Sequence, residues 1–361
     1  GVDFQVLNKR LAVSAEYYNE KNREMLMNIK QSVPSTVGTQ SAAVNLGEMN
    51  SWGWELSVNW RDKIGKDFKY RIGLNTGYRD NEVLVMDWVT GNSLYRQITK
   101  GHRTDMGLWG MQCIGMFRSF QDINEYFDMY MKKEDGSYGT YMGMTKEQVR
   151  PGMLIYKDVR GALQENGTYA GPDHNVDEEL DQVQLSNRTN PYGFTINAGA
   201  EWKGISLTAQ FGASWGGYTV VPSAALKPNG SLEYCNMPSF WNPDNMFVYQ
   251  DIYDGSGNLL MEANRDAQYP NLAYSNVNAV TSSFWRVSAA RVALNRLTLA
   301  YTIPSSLYKK FGINNIRVNV TGQNVLNFYN PYPDKFMNPM AGTYGSYPNL
   351  RKWTVGVNLS F

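Results

Sequence analysis

The chain has 361 residues and a net charge of +1, with 13% aromatic and only 19% charged residues. An ordinary globular domain carries about a quarter charged residues, and a balance this near zero gives nucleic acid or a strongly acidic partner little to hold. No apolar run approaches the roughly 18 residues of a spanning helix, so residence in a membrane would have to rest on strands.

In chain order, residues 2–7 read as the tail of one strand. Leu11, Val13, Ala15 and Tyr17 then form an apolar row against Ala12, Ser14, Glu16 and Tyr18. Residues 52–60 set Trp52, Trp54, Leu56, Val58 and Trp60 against Gly53, Glu55, Ser57 and Asn59. Residues 68–78 set Phe68, Tyr70, Ile72, Leu74 and Tyr78 against Lys69, Arg71, Gly73, Asn75 and Gly77. Two more follow: Phe194, Ile196, Ala198, Ala200 and Trp202 against Thr195, Asn197, Gly199 and Glu201, then Ile205, Leu207, Ala209, Phe211 and Trp215 against Ser206, Thr208, Gln210 and Ser214. Leu297, Leu299, Tyr301 and Ile303 make another row, and Ile316, Val318 and Val320 face away from Arg317, Asn319 and Thr321. The last stretch, residues 353–361, alternates without a slip and ends on Phe361.

Period two with a greasy row and a small polar row is the signature of a strand with one apolar and one wet face. Trp52 to Trp60, Phe194 to Trp202 and Trp353 to Phe361 each place aromatics at both ends of a row. Eight residues at about 3.3 Å each, tilted near 40°, rise roughly 20 Å, close to a lipid band flanked by aromatic girdles. The pattern predicts an all-β transmembrane antiparallel barrel with about nine strands here. A soluble β-sandwich with aromatic core rows is the competing fold.

The connections alternate in length. Residues 8–10, 62–67, 203–204 and 304–314 are short; residues 27–48, 80–190, 217–287 and 330–348 are long. Outer-membrane barrels pair short periplasmic turns with long extracellular loops, which sets the expected orientation. Nine strands are odd in number, and bacterial single-chain barrels are even and closed, so the expectation is a portion of a larger wall. The start at Gly1, without an initiator Met, fits a mature form or a piece of a longer protein. The expected lumen-lining residues include Glu55, Asn59, Lys69, Arg71, Asn75, Asn197, Arg317 and Asn319, with Thr195, Thr208, Gln210 and Thr321 beside them. In the long connections, Trp88, Trp109, Tyr234, Phe240, Trp241 and Tyr249 either stack on cargo or pack the loops together.

Catalysis finds no foothold. The two histidines, His102 and His174, lack a partner set, and no nucleophile elbow, P-loop, dinucleotide fingerprint or zinc motif occurs. Asp177, Glu178 and Glu179 read as a solvated face. Cys113 and Cys235 have no metal spacing, and nothing in their placement argues for a disulfide. The expectation is a non-enzyme without cofactor.

The C-terminal third resembles the SusC/RagA-type TonB-dependent transporters of the outer membrane. The resemblance rests on residues 296–304 (RLTLAYTIP), residues 309–325 (KKFGINNIRVNVTGQNV) and the Tyr347-Pro348 lead into the last strand. Val33-Pro34-Ser35-Thr36, Gly47-Glu48-Met49 with Gly53-Trp54-Glu55-Leu56, and Pro151-Gly152 with Tyr156-Lys157-Asp158 extend it through nearly the whole chain. It implies the last strands of a 22-stranded barrel in the outer membrane of a Gram-negative bacterium, with an N-terminal plug coupled to TonB. It also implies a SusD-like surface lipoprotein lid and glycan or oligopeptide cargo, and it makes Phe361 resemble a C-terminal assembly signal. Where the family often has an Asn-Gly-Asp-Gly run, this chain reads Asp158-Val159-Arg160-Gly161-Ala162-Leu163, so calcium ligands are missing there. Asp251, Asp254, Asn258 and Glu262 lie around a Gly-rich turn and lack EF-hand spacing. Active nutrient import is the first reading. A passive porin or surface-adhesion barrel is the alternative, and a soluble carbohydrate-binding sandwich stands third.

Overall fold

The computed structural model describes residues 1–28, 38, 43–86, 93–227, 237–339, 344–345, 347 and 349–361. Nine strands form one sheet in chain order, each antiparallel to the next. They are β1 (Val2–Val6), β2 (Leu11–Asn28), β3 (Ala43–Ile64), β4 (Phe68–Val85), β5 (Tyr192–Trp202), β6 (Ile205–Trp215), β7 (Arg291–Thr302), β8 (Asn315–Tyr329) and β9 (Lys352–Ser360). β1 pairs with β2 and β9 with β8, and the two edge strands do not pair with each other. The sheet is an open arc.

Register carries the two-row pattern across the whole arc. One line of cross-strand partners runs Gln5, Ala12, Asn59, Gly73, Asn197, Gln210, Arg296, Gln323, Lys352. The adjacent line runs Val6, Leu11, Trp60, Ile72, Ala198, Ala209, Leu297, Gly322, Trp353. A slip of one residue in a strand would put its polar row among the hydrophobics, so the patterning itself fixes the register. Thr76 sits on the apolar side and donates its hydroxyl to the Gly193 carbonyl at 3.0 Å, which silences its polarity.

Among the described residues nothing covers the apolar face. Tyr17, Trp54, Ile72, Trp202, Leu207, Leu299, Trp353 and Leu359 are all exposed, and Val355 and Val357 are 71% and 60% accessible. Total accessible surface is 22371 Å², against about 14,700 Å² for a compact soluble protein of this mass. That excess suits a wall that lipid and further strands complete. No helix among the described residues is long and apolar enough to cross a membrane.

β2 and β3 run further than alternation marks, to Asn28 and from Ala43, so the connection expected over residues 27–48 is narrower. Beyond the lipid band a strand needs no apolar row, and residues 19–28 lose theirs. The pairing there is irregular between Asn22 and Leu26, Glu24 takes φ +54°, and Lys21 approaches Glu48 at 3.5 Å.

Candidate functional site

Two surfaces meet at one end of the arc: the polar face of the sheet and a packed body built from the long connections. In an antiparallel meander the β2–β3, β4–β5, β6–β7 and β8–β9 connections all leave from the same end, and the short turns lie at the other. At the short-turn end, Lys203 and Gly204 form a two-residue hairpin with φ +46° and +87°. Gly204 suits it because the left-handed region costs glycine little.

Glu55, Asn59, Lys69, Arg71, Asn75, Asn197, Arg317 and Asn319 lie on the polar face, with Thr195, Thr208, Gln210 and Thr321 beside them. Several large side chains lie flat across neighbouring glycines. A Cβ on Gly73 would stand 2.5 Å from Asn59 Oδ1, and one on Gly199 would stand 2.8 Å from Arg71 Nε. Asn319 lies against Gly356 in the same way. Gln210 donates to Asn197 at 3.2 Å, and Arg317 donates to Ser206 at 2.7 Å. The face is a continuous hydrogen-bonding surface with troughs, one bounded by Ser14, Glu16, Glu55, Ser57 and Asn75.

The connections pack into a body with two cores. In the first, Met111, Phe117, Ile123, Tyr126, Phe127, Tyr141, Leu154, Tyr156 and Val176 close around Val277 and Val280 from the next long connection. Asn278 staples the two segments: its amide nitrogen donates to the carbonyls of Gly152 and Asn271 at 2.9 and 2.8 Å, and its oxygen accepts from Leu154 N at 2.8 Å. Tyr156 donates its hydroxyl to the Val277 carbonyl at 2.8 Å. The second core gathers Phe240, Trp241, Tyr269, Phe284 and Trp285 with Tyr332, Phe336 and Tyr344.

This packing separates the aromatic candidates. Phe240 is 0% exposed, in the centre of the second core, where it packs the connections together. Trp241 packs on Tyr269 and Trp285 and donates its indole N–H to the Ala225 carbonyl at 2.9 Å. Trp109 donates to the Met106 carbonyl at 3.0 Å and tilts against Tyr95. Tyr249 lies edge-on to Phe120 at 5.5 Å and under the Arg265 guanidinium at 4.5 Å. Trp88, Tyr234 and Cys235, like residues 33–36, lie outside the described residues. Phe361 follows β9 and is exposed.

Sequence reasoning passed over the large apolar side chains that the body does present. Phe120, Met129, Tyr130, Tyr138 and Tyr253 are exposed. The first belongs to a short helix, α1 (Phe120–Tyr126), and Met129 and Tyr130 to the π-turn that continues it, Phe127–Met131. The signal was present: Ser119 and Asp122 form a capping box, which marks a helix start in any sequence.

Two buried carboxylates brace the body. Asp158 accepts from His174 N at 2.7 Å, and Asp181 accepts from Val159 N, Arg160 N and Asp177 N. Burial pushes Asp158 up to about 6, with the neighbouring Asp181 adding to it, and burial raises Asp181 as well. Asp254 spends its carboxylate on Ser256 N, Asn258 N and the Asn258 amide. His102 and His174 make separate contacts, to Thr99 and to the Tyr130 carbonyl. Among the described residues no group of three or more His, Cys, Asp or Glu is placed to hold a metal ion.

An open antiparallel arc with an apolar outer and a polar inner row is part of a transmembrane β-barrel. Comparison with known proteins narrows that class. No family model matches the chain. The whole chain is 24% identical to a TonB-dependent receptor, P3, of Formosa agariphila, and 21% identical to another, P39, of the same organism. It spans 33% and 35% of their lengths, about a third of the curated relatives it matches. A shorter match, 26% identical over 29% of this chain, is to the receptor SusC of Bacteroides thetaiotaomicron. Among solved structures, the RagAB peptide importer in its closed-closed state overlays 99% of this chain and 34% of its own with a TM-score of 0.66 and 18% identity. Over its whole length the chain is thus similar to about a third of the length of TonB-dependent receptors, and it shares its fold with part of a solved outer-membrane β-barrel importer.

Proposed function

We propose that the complete protein imports oligomeric nutrients, glycans or oligopeptides, across the outer membrane, using TonB-coupled energy received through an N-terminal plug. These residues supply part of its lumen wall and extracellular mouth. The observation that carries the reading is the unbroken polar row across nine strands beneath the body formed by the long connections. A passing oligomer meets there a hydrogen-bonding wall, while lipid meets only the apolar row. Glu55, Asn59, Lys69, Arg71, Asn75, Asn197, Arg317 and Asn319 line the lumen, and the long connections face outward from the cell. The exposed aromatics of the body, with Trp109, Trp241 and Tyr249 behind them, offer faces for sugar rings or apolar peptide side chains. A SusD-like lipoprotein closes over this mouth as a lid.

The test is growth of a host carrying the full-length gene on panels of defined glycans and oligopeptides, with and without functional TonB. Uptake of one class that disappears with TonB supports the proposal. Uptake indifferent to TonB, with steady conductance of the purified protein in planar bilayers, makes it a passive porin instead.

A further inference from the structure

The short connection between β7 and β8, residues 304–314, presents apolar and cationic side chains that nothing in the chain answers. Two 3₁₀ turns, Ser305–Leu307 and Lys309–Phe311, are joined at Tyr308, and Gly312 at φ +72° ends the second. Tyr308 is buried and holds the connection against the rest of the chain, while Leu307 and Phe311 are 69% and 77% exposed. Apolar side chains of that size gain by leaving water. Lys309 and Lys310 are exposed between them and, among the described residues, make no ion pair. No Asp or Glu occurs between Asp266 and Asp334, and β9 carries none. In two other short turns a cation is met: Arg10 by Asp62 at 3.0 Å, and Lys203 by Asp67 at 3.9 Å. A third feature lies on the same hairpin. Ile205, Leu299, Tyr301, Val318 and Val320, all from the apolar row, line a groove of about 760 Å³, with Ala300 and Asn319 between them. Tyr301 is the direct partner of Val318, and Ile303 N donates to the Ile316 carbonyl at 2.9 Å where the connection begins. The groove therefore lies on the apolar face within a few residues of the two lysines.

We propose that this hairpin is a seat for one anionic phospholipid of the periplasmic leaflet. Its phosphate sits against Lys309 and Lys310, an acyl chain lies in the groove, and Leu307 and Phe311 sink into the interface beside it. The seat belongs to that leaflet because the short turns face the periplasm, and to that extent it rests on the proposed orientation of the barrel. Apolar side chains beside lysines without counter-charge are the pattern of interfacial segments, held by burial and by attraction to anionic headgroups. A free phosphate would use the lysines and leave the groove and the apolar turn unfilled. A neutral lipid would fill the groove and leave the lysines without a partner. The groove is continuous with the lipid-facing row, which favours a lipid over a soluble periplasmic protein, and its volume falls within the roughly 300–1,000 Å³ of small-molecule sites.

The experiment is native mass spectrometry of the full-length protein, released from detergent after incubation with equal amounts of phosphatidylglycerol and phosphatidylcholine of matched chains. The expected result is retention of phosphatidylglycerol over phosphatidylcholine, with the excess falling roughly 10- to 30-fold when Lys309→Gln and Lys310→Gln are combined. Arg351→Gln with Lys352→Gln, at the far end of β9, should leave the excess unchanged. So should added inorganic phosphate or glycerol phosphate, a headgroup without chains. Equal retention of the two lipids, a preference that survives loss of both lysines or falls equally in the β9 variant, or displacement by either free phosphate would overturn the proposal. A photo-reactive residue in place of Phe311 reads the same seat in intact outer membranes. Adducts with the mass of a phospholipid support it; adducts to a protein or to lipopolysaccharide, or none at all, count against it. Neither readout depends on transport. Lipopolysaccharide adducts would reverse the orientation as well, whereas a failed import assay with phospholipid adducts leaves the seat standing.

Discussion

Gly139 occupies a place where no side chain fits: a Cβ there would stand 1.6 Å from the His174 carbonyl oxygen. Backbone cannot yield as a flexible side chain does, so Gly139→Ala should cost about 1–3 kcal/mol locally. Limited proteolysis should show faster cleavage between residues 130 and 180, with no change in the heat-modifiable mobility of the barrel. Gly199→Ala meets only the movable Arg71 side chain, and its effect should stay within about 0.5 kcal/mol. The small polar rows made glycines such as Gly199 readable in the sequence, because parity placed them. Gly139 was not readable, since its neighbour His174 is distant in the chain. Asp158 was equally hidden, for its burial depends on tertiary packing. Its folded value near 6 lies above the ordinary 3.8, so the folded protein keeps a proton that the unfolded chain has already released. The stability from that proton is whole below about pH 4 and is lost as pH rises through 6. The body of long connections should therefore resist thermal unfolding better at pH 5 than at pH 7. Asp158→Asn should flatten that dependence, and adding Asp181→Asn should flatten it further; unchanged pH curves in both variants would count against the buried-proton account.

At the scale of the element, the strands that alternate strictly were legible and their far ends were not. β9 follows its sequence row from end to end. β2 and β3 continue past theirs because hydrogen bonding, rather than lipid, holds the projecting part. The parity assignment makes a sharp comparison within β9. Val357→Arg puts a charge on the apolar face and should cost about 2–4 kcal/mol, whereas Asn358→Arg on the polar face should cost far less. Urea titration of the full-length protein in lipid vesicles, followed by electrophoretic mobility, measures both. Equal destabilisation by the two variants would sink the assignment of lipid and lumen faces.

Over the whole molecule, the sequence carried the wall and hid the body. A strand announces itself within ten residues, but Asn278 reaching Gly152 and Leu154, or Phe240 reaching Phe336, involves contacts that no local pattern encodes. The open edges lead to the last expectation. β1 and β9 each present one side of backbone with no strand partner in the sheet, and unpaired N–H and C=O groups in hydrocarbon cost several kcal/mol each. Satisfying them by curling β1 onto β9 would require a nine-stranded closure, against the even strand number of bacterial single-chain barrels. Residues 1–361 expressed alone and refolded into detergent or vesicles should therefore yield no heat-modifiable, urea-resistant species, while the full-length protein should yield one. Paired cysteines at Phe4 and Val357 test the same point covalently. They should fail to form a disulfide in the full-length barrel, where other strands lie between them. Efficient cross-linking of that pair, together with a stable isolated fragment, would mean that the arc closes on itself.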